Sequence, residues 1–339
     1  RWIGHLYHGS NKFGPGYPDH PTWDDMKPRM DRLSKAVGAL ESARPDADTA
    51  VVYNWRALNQ FAGNYLHAHR SALMLLAKEL TLSNTQFQFV SPELLGASTV
   101  KKDGAFSGKA GTFRRLIVPW PDLLTPKAWE TLEALKAAGT EVVIYGPPAV
   151  LDSEGGDVAA RFAALCGIKK PDPNAYEKAV VGAKLRMGNS FFTADPESVE
   201  PKYFNAPERT YPSGWRWWEL APKGGAEAVG TIGKKTVGAA DGSVLYVAAE
   251  GPLFGGWTAD VAAGDCGIGV PDGGLVARYV RDDETIWTVL GRWNRALTGK
   301  IAIGEYTVEI DGRDFAIVTQ TGERKPKLKR FAPVATTTG

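Results

Sequence analysis

The chain has 339 residues, 43% of them hydrophobic, so it is long enough to hold two or three domains and to bury a large core. Its 40 basic and 38 acidic residues leave a formal net charge of +2, which argues against a nucleic-acid partner because such proteins usually carry a strong basic excess. No apolar run is long enough to span a bilayer and no signal peptide is recognised, so no membrane partner is predicted. The chain begins with Arg1 and runs straight into an apolar stretch. We interpret it as a processed or excised piece and assign no compartment.

Residues 1–45 are predicted to form one strand and one helix. Residues 1–10 are rich in apolar and aromatic side chains, which is typical of a strand that runs into a loop. From Trp23 to Leu40, apolar residues recur at intervals of three and four, so this stretch is predicted to be an amphipathic helix. A strand and a helix without partner strands do not make a domain. We therefore interpret this segment as the last unit of a larger domain.

After a polar linker at 43–48, buried strands alternate with helices. Apolar runs bounded by turn residues predict strands at 50–54, 86–90, 114–118 and 141–145. Apolar spacing predicts helices at about 59–80, 125–138 and 157–165. In the second of these helices, Thr125 is expected to be the N-cap, Pro126 the first residue and Gly139 the terminator. Strand, helix and strand of this length form a parallel crossover, so we predict an α/β fold with a flavodoxin-like doubly wound sheet.

The remainder of the chain is predicted to be mostly β. Residues 171–222 are less periodic, and two further strands are predicted at 228–232 and 243–248. Four short strands with tight turns then predict a small antiparallel β-sandwich, at 276–280, 285–290, 300–309 and 315–319. The basic residues at 325–330 are predicted to form a solvated terminus.

No cofactor, metal centre or disulfide framework is predicted. Cys166 and Cys266 are too few for such a framework or for a zinc site, and they are either buried free thiols or a single bridge. His67 and His69 are two residues apart, so on a helix they cannot share a face and hold a metal together. The acidic loop at 152–157 could bind calcium, with a flexible loop as the favoured alternative.

The order of these parts resembles that of multidomain glycoside hydrolases. It is similar to the C-terminal half of the β-galactosidase type, in which a barrel is followed by a class I glutamine-amidotransferase-like trimerisation domain, and also to α-L-rhamnosidase-type hydrolases. The phrases that carry the resemblance extend over nearly the whole chain: Tyr17 to Pro21, Thr49 to Trp55, Phe89 to Leu95, Leu116 to Pro119, Ala138 to Gly146 and Asp241 to Tyr246.

The resemblance implies three domains. Residues 1–45 would be the terminal βα unit of a (β/α)8 TIM barrel, 46–267 an amidotransferase-like flavodoxin-like domain, and 268–339 a small antiparallel β domain. In these hydrolases the catalytic carboxylates lie at the ends of the fourth and seventh barrel strands. They are therefore expected upstream of Arg1, and no catalytic residue is predicted within the chain.

The candidate substrate-binding residues are aromatic side chains and histidines: His5, Tyr7, His8, Trp215, Trp217 and Trp218. The first three would lie near the mouth of the barrel, with a packed or loop-bracing histidine as the alternative. The tryptophans could stack on the apolar faces of sugars. Three bulky rings in four residues cannot all face one way, so a contact between domains or subunits is the favoured alternative.

The sequence predicts that the amidotransferase-like domain is inactive as an amidase. Such an enzyme needs a cysteine on the turn after a strand, activated by a histidine that a glutamate holds. The turn here is Tyr145-Gly146-Pro147-Pro148, and Ala248-Ala249-Glu250 stands where the His-x-Glu pair is expected. All five histidines lie within the first 69 residues.

These observations favour a non-catalytic scaffold and oligomerisation portion of a glycoside hydrolase. Its expected partners are carbohydrate, its own N-terminal barrel domain and further copies of itself. The alternative is a free-standing binding or assembly module with an inactive amidotransferase-like fold.

Overall fold

The computed structural model describes residues 37–60, 83–178, 184–187, 190–193, 216–250, 266–271, 274–291, 298–310 and 315–331, with single helical positions between 27 and 35 and between 73 and 81. The chain divides into two compact units. One combines Arg1–Asp46 with Cys266–Gly339, and the other is Ala47–Asp265.

The first strand, β1 (Arg44–Pro45), belongs to the first of these units. The unit Ala47–Asp265 then contains β2 (Thr49–Val52), α1 (Trp55–Gln60), β3 (Phe87–Val90), α2 (Pro92–Gly96), β4 (Thr99–Val100), β5 (Phe106–Gly108), β6 (Gly111–Phe113), β7 (Arg115–Pro119), α3 (Pro126–Ala137), β8 (Glu141–Tyr145), α4 (Ala159–Leu165), β9 (Tyr176–Lys178), β10 (Lys184–Met187), β11 (Ser190–Thr193), β12 (Arg216–Trp218), β13 (Glu227–Ile232), β14 (Lys235–Asp241) and β15 (Val244–Val247).

Most of these strands form one nine-stranded sheet in the order β11-β10-β13-β14-β15-β8-β7-β2-β3. The five strands from β15 to β3 are parallel, and the pairs from β11 to β15 are antiparallel. In the parallel register Val52 lies opposite Val90, and Tyr145 lies opposite both Pro119 and Val247. The loops that follow the parallel strands therefore leave the sheet at one edge, which we call the carboxyl edge.

Strand residues alternate between two hydrophobic cores, one on each face of the sheet. On one face the strands pack against Trp129 of α3 and Phe162 of α4, whose rings meet edge to face with centroids 6.2 Å apart. On the other face they pack against Leu76 and Leu80, both fully buried on the helix that was predicted at 59–80. Both faces of β2, β7, β8 and β15 are covered, so their central residues are apolar, whereas the edge strand β3 leaves Phe89 41% exposed.

Helix α3 has the ends that the sequence predicts. The Thr125 hydroxyl accepts a hydrogen bond from the amide of Ala128 at 3.1 Å, and Pro126 occupies the first turn, where no amide hydrogen is needed. Gly139 follows the C-cap with φ of +76°. Both ends are therefore confirmed. They could be predicted from the sequence because a cap depends on residues only a few positions apart.

Strand β14 was not predicted, although its neighbours β13 and β15 were. Its sequence, with Gly238 among small and polar residues, has little intrinsic strand preference. Pairing on both sides stabilises it instead, and a register shift lies in β13 next to Gly230. A Cβ at Gly238 would come within 2.9 Å of the Gly230 amide nitrogen, so glycine is required for this close approach.

The other unit continues with β16 (Gly274–Arg281), β17 (Glu284–Gly291), β18 (Gly299–Ile303), β19 (Tyr306–Ile310), β20 (Phe315–Thr321) and β21 (Lys327–Phe331). Its five-stranded sheet has the order β1-β16-β17-β20-β21 and is antiparallel throughout. The hairpin β18-β19 supplies Ile301, Ile303 and Ile310 to a core shared with Trp287 of that sheet. A small antiparallel β unit was predicted, and its antiparallel pairing is confirmed.

Three details of this unit differ from the predictions. The polar linker at 43–48 contains an edge strand, β1, with Asp46 paired to Arg278 at 2.9 Å. The single strand predicted at 300–309 is a hairpin that turns at Gly304, where φ is +53°. The basic stretch at 325–330 contributes the edge strand β21, with Leu328 packed on the core, so its prediction as a solvated terminus is wrong. Lysines on an edge strand discourage further pairing, which fits this position.

Within the described ranges, no helix combines the length and apolarity that crossing a bilayer requires.

Candidate functional site

The carboxyl edge of the parallel strands is the part of the described structure where ligand sites are expected, because open α/β sheets bind ligands outside the carboxyl ends of their strands. Two regions of this edge differ in character. The region after β7, β8 and β15 is filled by side chains, and the region after β2 and β3 contains an open cavity.

The turn after β8 has no nucleophile, and its glycine packs against Trp120. Gly146 adopts φ of +114°, and a Cβ there would lie 3.4 Å from the amide nitrogen and Cα of Trp120. Trp120, which is 5% exposed, follows β7 and donates its backbone amide to the carbonyl of Tyr145 at 2.8 Å. The Tyr246 hydroxyl donates to the carbonyl of Gly146 at 3.0 Å. Gly146 is therefore in contact with Trp120 and hydrogen-bonded to Tyr246.

An asparagine side chain fills the space between the ends of β2 and β7. Asn54, which is 3% exposed, donates its amide to the carbonyl oxygens of Trp120 and Asp122 at 3.2 and 2.6 Å. The Asp122 carboxylate in turn accepts the backbone amides of Val150 and Leu151, each at 2.9 Å. This network ties together the segments that follow β2, β7 and β8.

An arginine binds the carboxylate that follows β15. The Nε of Arg216 lies 2.9 and 2.8 Å from the two carboxylate oxygens of Glu250, and an Nη atom contacts the same carboxylate. The backbone of Arg216 both donates to Glu250 and accepts from its amide, so the pair closes a ring of hydrogen bonds. The guanidinium lies over the rings of Tyr176 and Trp218, with centroid distances of 5.1 and 5.5 Å. The Glu250 carboxylate is thus bound by the guanidinium of Arg216, whereas the resemblance described above would imply a histidine as its partner.

Neither the buried thiol of Cys166 nor the buried phenol of Tyr145 is activated. Cys166 caps the C-terminus of α4, is fully buried, and has a pKa raised by that burial. Burial also raises the pKa of the Tyr145 phenol. Both cysteines are free, so of the two alternatives for them the buried free thiols are confirmed. A thiol reacts as its thiolate, so Cys166 has the properties of a packed residue and not of a nucleophile.

The open cavity beside β3 has a volume of about 560 Å³. Its lining is mainly apolar and aromatic and includes Tyr53, Leu73, Ala77, Phe89, Val90 and Ser91. Tyr53 and Phe89 remain 44% and 41% exposed, and their rings meet edge to face with centroids 6.1 Å apart. Sequence analysis did not single out these residues. The available signal was an aromatic residue at or next to the end of each of two neighbouring strands.

An ion pair joins the two segments that follow the cavity residues in the chain. Arg56 of α1 donates to the carboxylate of Glu93 in α2, and its guanidinium lies 4.6 Å from the ring centroid of Trp55. Burial raises the pKa of Glu93, but hydrogen bonds from Arg56, its own backbone amide and the Ser91 hydroxyl together lower it by more. The net result is a pKa below the ordinary value of glutamate, so Glu93 is charged at neutral pH.

The predicted sugar-contact residues are only partly within the described structure. His5, Tyr7, His8 and Trp215 lie outside the described residues. Trp217 and Trp218 are 4% and 2% exposed and belong to cores on opposite faces of the nine-stranded sheet. The indole of Trp218 donates to the carbonyl of Pro173 at 2.9 Å. Both rings are therefore core residues, and their predicted roles in sugar binding or in a contact between domains or subunits stay predictions.

The described residues contain no group of three or more histidine, cysteine or acidic side chains placed to hold a metal ion. In the acidic loop, Asp152 accepts the backbone amides of Glu154 and Gly156, each at 2.8 Å. Its carboxylate therefore organises the turn. His67 and His69 lie outside the described residues.

No family model matches the sequence, and no curated protein matches it either. Solved structures do match. A β-galactosidase from Bacillus circulans sp. alkalophilus has a TM-score of 0.62 at 14% identity, over 90% of this chain and 46% of that one. Gan42B, a GH42 β-galactosidase from G. stearothermophilus, has a TM-score of 0.61 at 11% identity, over 90% and 44%. A cold-adapted β-galactosidase from Rahnella sp. R3 has a TM-score of 0.60 at 12% identity, over 90% and 45%.

The chain spans less than half of the length of these structures. At such identities the likeness concerns the fold, and the fold of this chain is related to that of glycoside hydrolases.

Proposed function

We propose that this chain is the C-terminal, non-catalytic portion of a carbohydrate-active glycoside hydrolase, where it acts as a scaffold and oligomerisation region. The observation that carries the proposal is the fold match: 90% of this chain aligns with 44–46% of the length of the β-galactosidases. A match of this kind is expected for one portion of a multidomain enzyme. Carbohydrate, an N-terminal barrel domain and other copies of the chain are the partners in this proposal.

The unit Ala47–Asp265 is, in this proposal, a flavodoxin-like doubly wound domain of the class I glutamine-amidotransferase type. The order of its parallel strands supports this. If β2, β3, β7, β8 and β15 are numbered 1 to 5 in chain order, their order across the sheet is 2-1-3-4-5. This is the order of flavodoxin-like folds. Residues 1–45 are proposed to complete a (β/α)8 barrel, and 268–339 to form the small β domain.

The state of the carboxyl edge supports a non-catalytic role. Gly146 is covered by Trp120, Asn54 closes the space between β2 and β7, and Glu250 is bound by Arg216. Each position where this fold would place amidase chemistry is thus occupied by a group that stabilises the domain. The catalytic carboxylates of a glycosidase, one acid and one nucleophile or base, are proposed to precede Arg1.

The proposal is tested with aryl glycosides, including 4-nitrophenyl β-galactoside. The chain alone should give no turnover, whereas a product of the same gene that includes the segment before Arg1 should hydrolyse one of these substrates. Two glutamates of that upstream segment, when changed to glutamine, should abolish turnover. Hydrolysis by the chain alone, or an upstream segment without a barrel, would overturn the proposal. Size-exclusion chromatography with light scattering tests self-association separately.

The second candidate is a free-standing binding or assembly module. The open cavity of about 560 Å³ favours it, because a unit without catalytic groups still has space for a small ligand. A start codon immediately before Arg1 would support this candidate, and an upstream barrel with two glutamates would reject it.

A further inference from the structure

We propose that the cavity beside β3 binds a ring of a neutral carbohydrate, with the rings of Tyr53 and Phe89 as its walls and the Arg56–Glu93 pair as its polar partner. The cavity's chemistry points to a neutral ligand with apolar C–H faces. The choice of a sugar among such ligands rests on the function proposed above.

The size and position of the cavity fit a small-molecule site. Such sites occupy roughly 300 to 1,000 Å³ and are lined mostly by apolar and aromatic side chains with a few polar groups. The cavity measures about 560 Å³, and Tyr53, Val90 and Ser91 place it at the carboxyl ends of β2 and β3. The part of the same edge at β7 and β8 is filled by Asn54 and Trp120, so the open space lies toward the edge strand.

The walls provide the kind of surface on which sugar rings stack. Tyr53 and Phe89 are inclined at 68° to each other and are both more than two-fifths exposed. Phe87, two positions earlier in β3, meets the Phe89 ring edge to face, at 5.5 Å between centroids and 85° between planes. Two rings held at an angle by packing form a preorganised corner, which reduces the ordering cost of binding.

The polar groups next to the walls suit hydroxyl recognition and not an ionic ligand. Arg56 and Glu93 follow the lining residues Tyr53 and Ser91 by three and two positions in the chain, and their side chains are 29% and 45% exposed. Each is planar and can bond two adjacent hydroxyls. Because the two charges neutralise each other, the pair presents hydrogen-bonding capacity without net charge.

A phosphate-bearing ligand, such as a flavin nucleotide, is disfavoured at this position. None of the six lining residues is charged. The helix that follows β3 has only five residues and begins with Pro92, which has no amide hydrogen to offer an anion. A nucleotide would therefore leave its phosphate without partners among the described lining residues.

The test is a calorimetric titration of the chain with methyl β-galactoside, with flavin mononucleotide as the ionic comparison. Binding of a single sugar ring is expected to be weak, with a dissociation constant on the order of 1 mM. Phe89→Ala should weaken binding by about tenfold or more, whereas Phe89→Tyr, which keeps the ring, should stay within about twofold. Leu290→Ala is the matched control, because Leu290 is also 41% exposed on a strand but belongs to the other unit. Circular dichroism confirms that each variant is folded.

Equal affinity of Phe89→Ala and Leu290→Ala would overturn the proposal, as would saturable binding of the flavin nucleotide in place of the sugar. Absence of any saturable sugar binding would overturn it as well. Loss of self-association in Phe89→Ala without sugar binding to the parent chain would assign the cavity to a second copy instead. None of these results depends on turnover, so the sugar site and the glycoside-hydrolase proposal can fail separately.

Discussion

Arg216 and Glu250 hold each other in a largely buried ion pair in which the guanidinium Nε contacts both carboxylate oxygens, at 2.9 and 2.8 Å. Their side chains are 19% and 10% exposed. Their backbones add two hydrogen bonds: the Arg216 amide donates to the Glu250 carboxylate, and the Glu250 amide donates to the Arg216 carbonyl. The Glu250 carboxylate therefore joins β12 to the segment that follows β15.

Removing this carboxylate is expected to destabilise the unit Ala47–Asp265. Glu250→Ala leaves the Arg216 charge buried without its partner, which costs about 3 kcal/mol, a figure at the lower end for buried pairs because some solvent reaches the site. Urea denaturation followed by far-ultraviolet circular dichroism measures the change. Glu219→Ala is the control. Its side chain is 58% exposed and 3.6 Å from Lys235, so the loss should be below about 1 kcal/mol. Similar losses in the two variants would contradict this account.

Introducing a thiol into the turn after β8 is expected to give a less stable protein and no glutaminase activity. In Gly146→Cys the new residue must keep the backbone φ of +114°, and its side chain must pack against Trp120. The expected loss of stability is about 1–3 kcal/mol. Gly139→Ala separates the two effects, because Gly139 also has positive φ, at +76°, but a Cβ added there would have no neighbouring atom within 4 Å. It should lose less stability than Gly146→Cys. Thermal melting and an assay of glutamine hydrolysis measure the outcomes, and measurable glutaminase activity would refute the prediction.

Asn54 is expected to contribute more to stability than its single side chain suggests. Asn54→Ala leaves two carbonyl oxygens, of Trp120 and Asp122, without their donor at the edge of the sheet. Unsatisfied buried groups cost about 1–3 kcal/mol each, so a loss of about 2–6 kcal/mol is expected in urea denaturation. Asn174→Ala, at an exposed position, should change stability by less than about 0.5 kcal/mol. If Asn54→Ala loses no more stability than Asn174→Ala, the hydrogen bonds of Asn54 do not stabilise the space between the ends of β2 and β7.

The Arg56–Glu93 pair predicts a pH-dependent term in stability. The pKa of Glu93 is lowered in the folded chain. The stabilising contribution is therefore fully present above the unfolded pKa of glutamate, about 4.3, and is lost as the pH falls through the lower folded value. The difference in urea midpoint between the parent chain and Glu93→Gln should be constant from about pH 7 to 5 and shrink below about pH 4. A difference that grows on acidification would have the wrong sign for this pair.

Much of the fold could be predicted because the signals are local. The strands near 50, 87, 115 and 141 and helix α3 follow from apolar runs and caps within a few residues. Strands β1, β14 and β21 were missed because their sequences are polar or rich in small residues. They are strands since a neighbouring strand pairs with them, and pairing between distant segments is not visible in a local pattern.

The candidate site divides in the same way. The sequence by itself determined that the turn after β8 has no thiol and that no histidine follows position 69, so residue identity alone predicts that no Cys-His-Glu set is assembled at this turn. Only the tertiary structure decided that Trp120 covers Gly146, that Arg216 binds Glu250 and that Tyr53 and Phe89 border an open cavity. The physical reason is that an absent functional group is absent in every conformation, whereas burial and contact depend on which distant segments the folded sheet brings together.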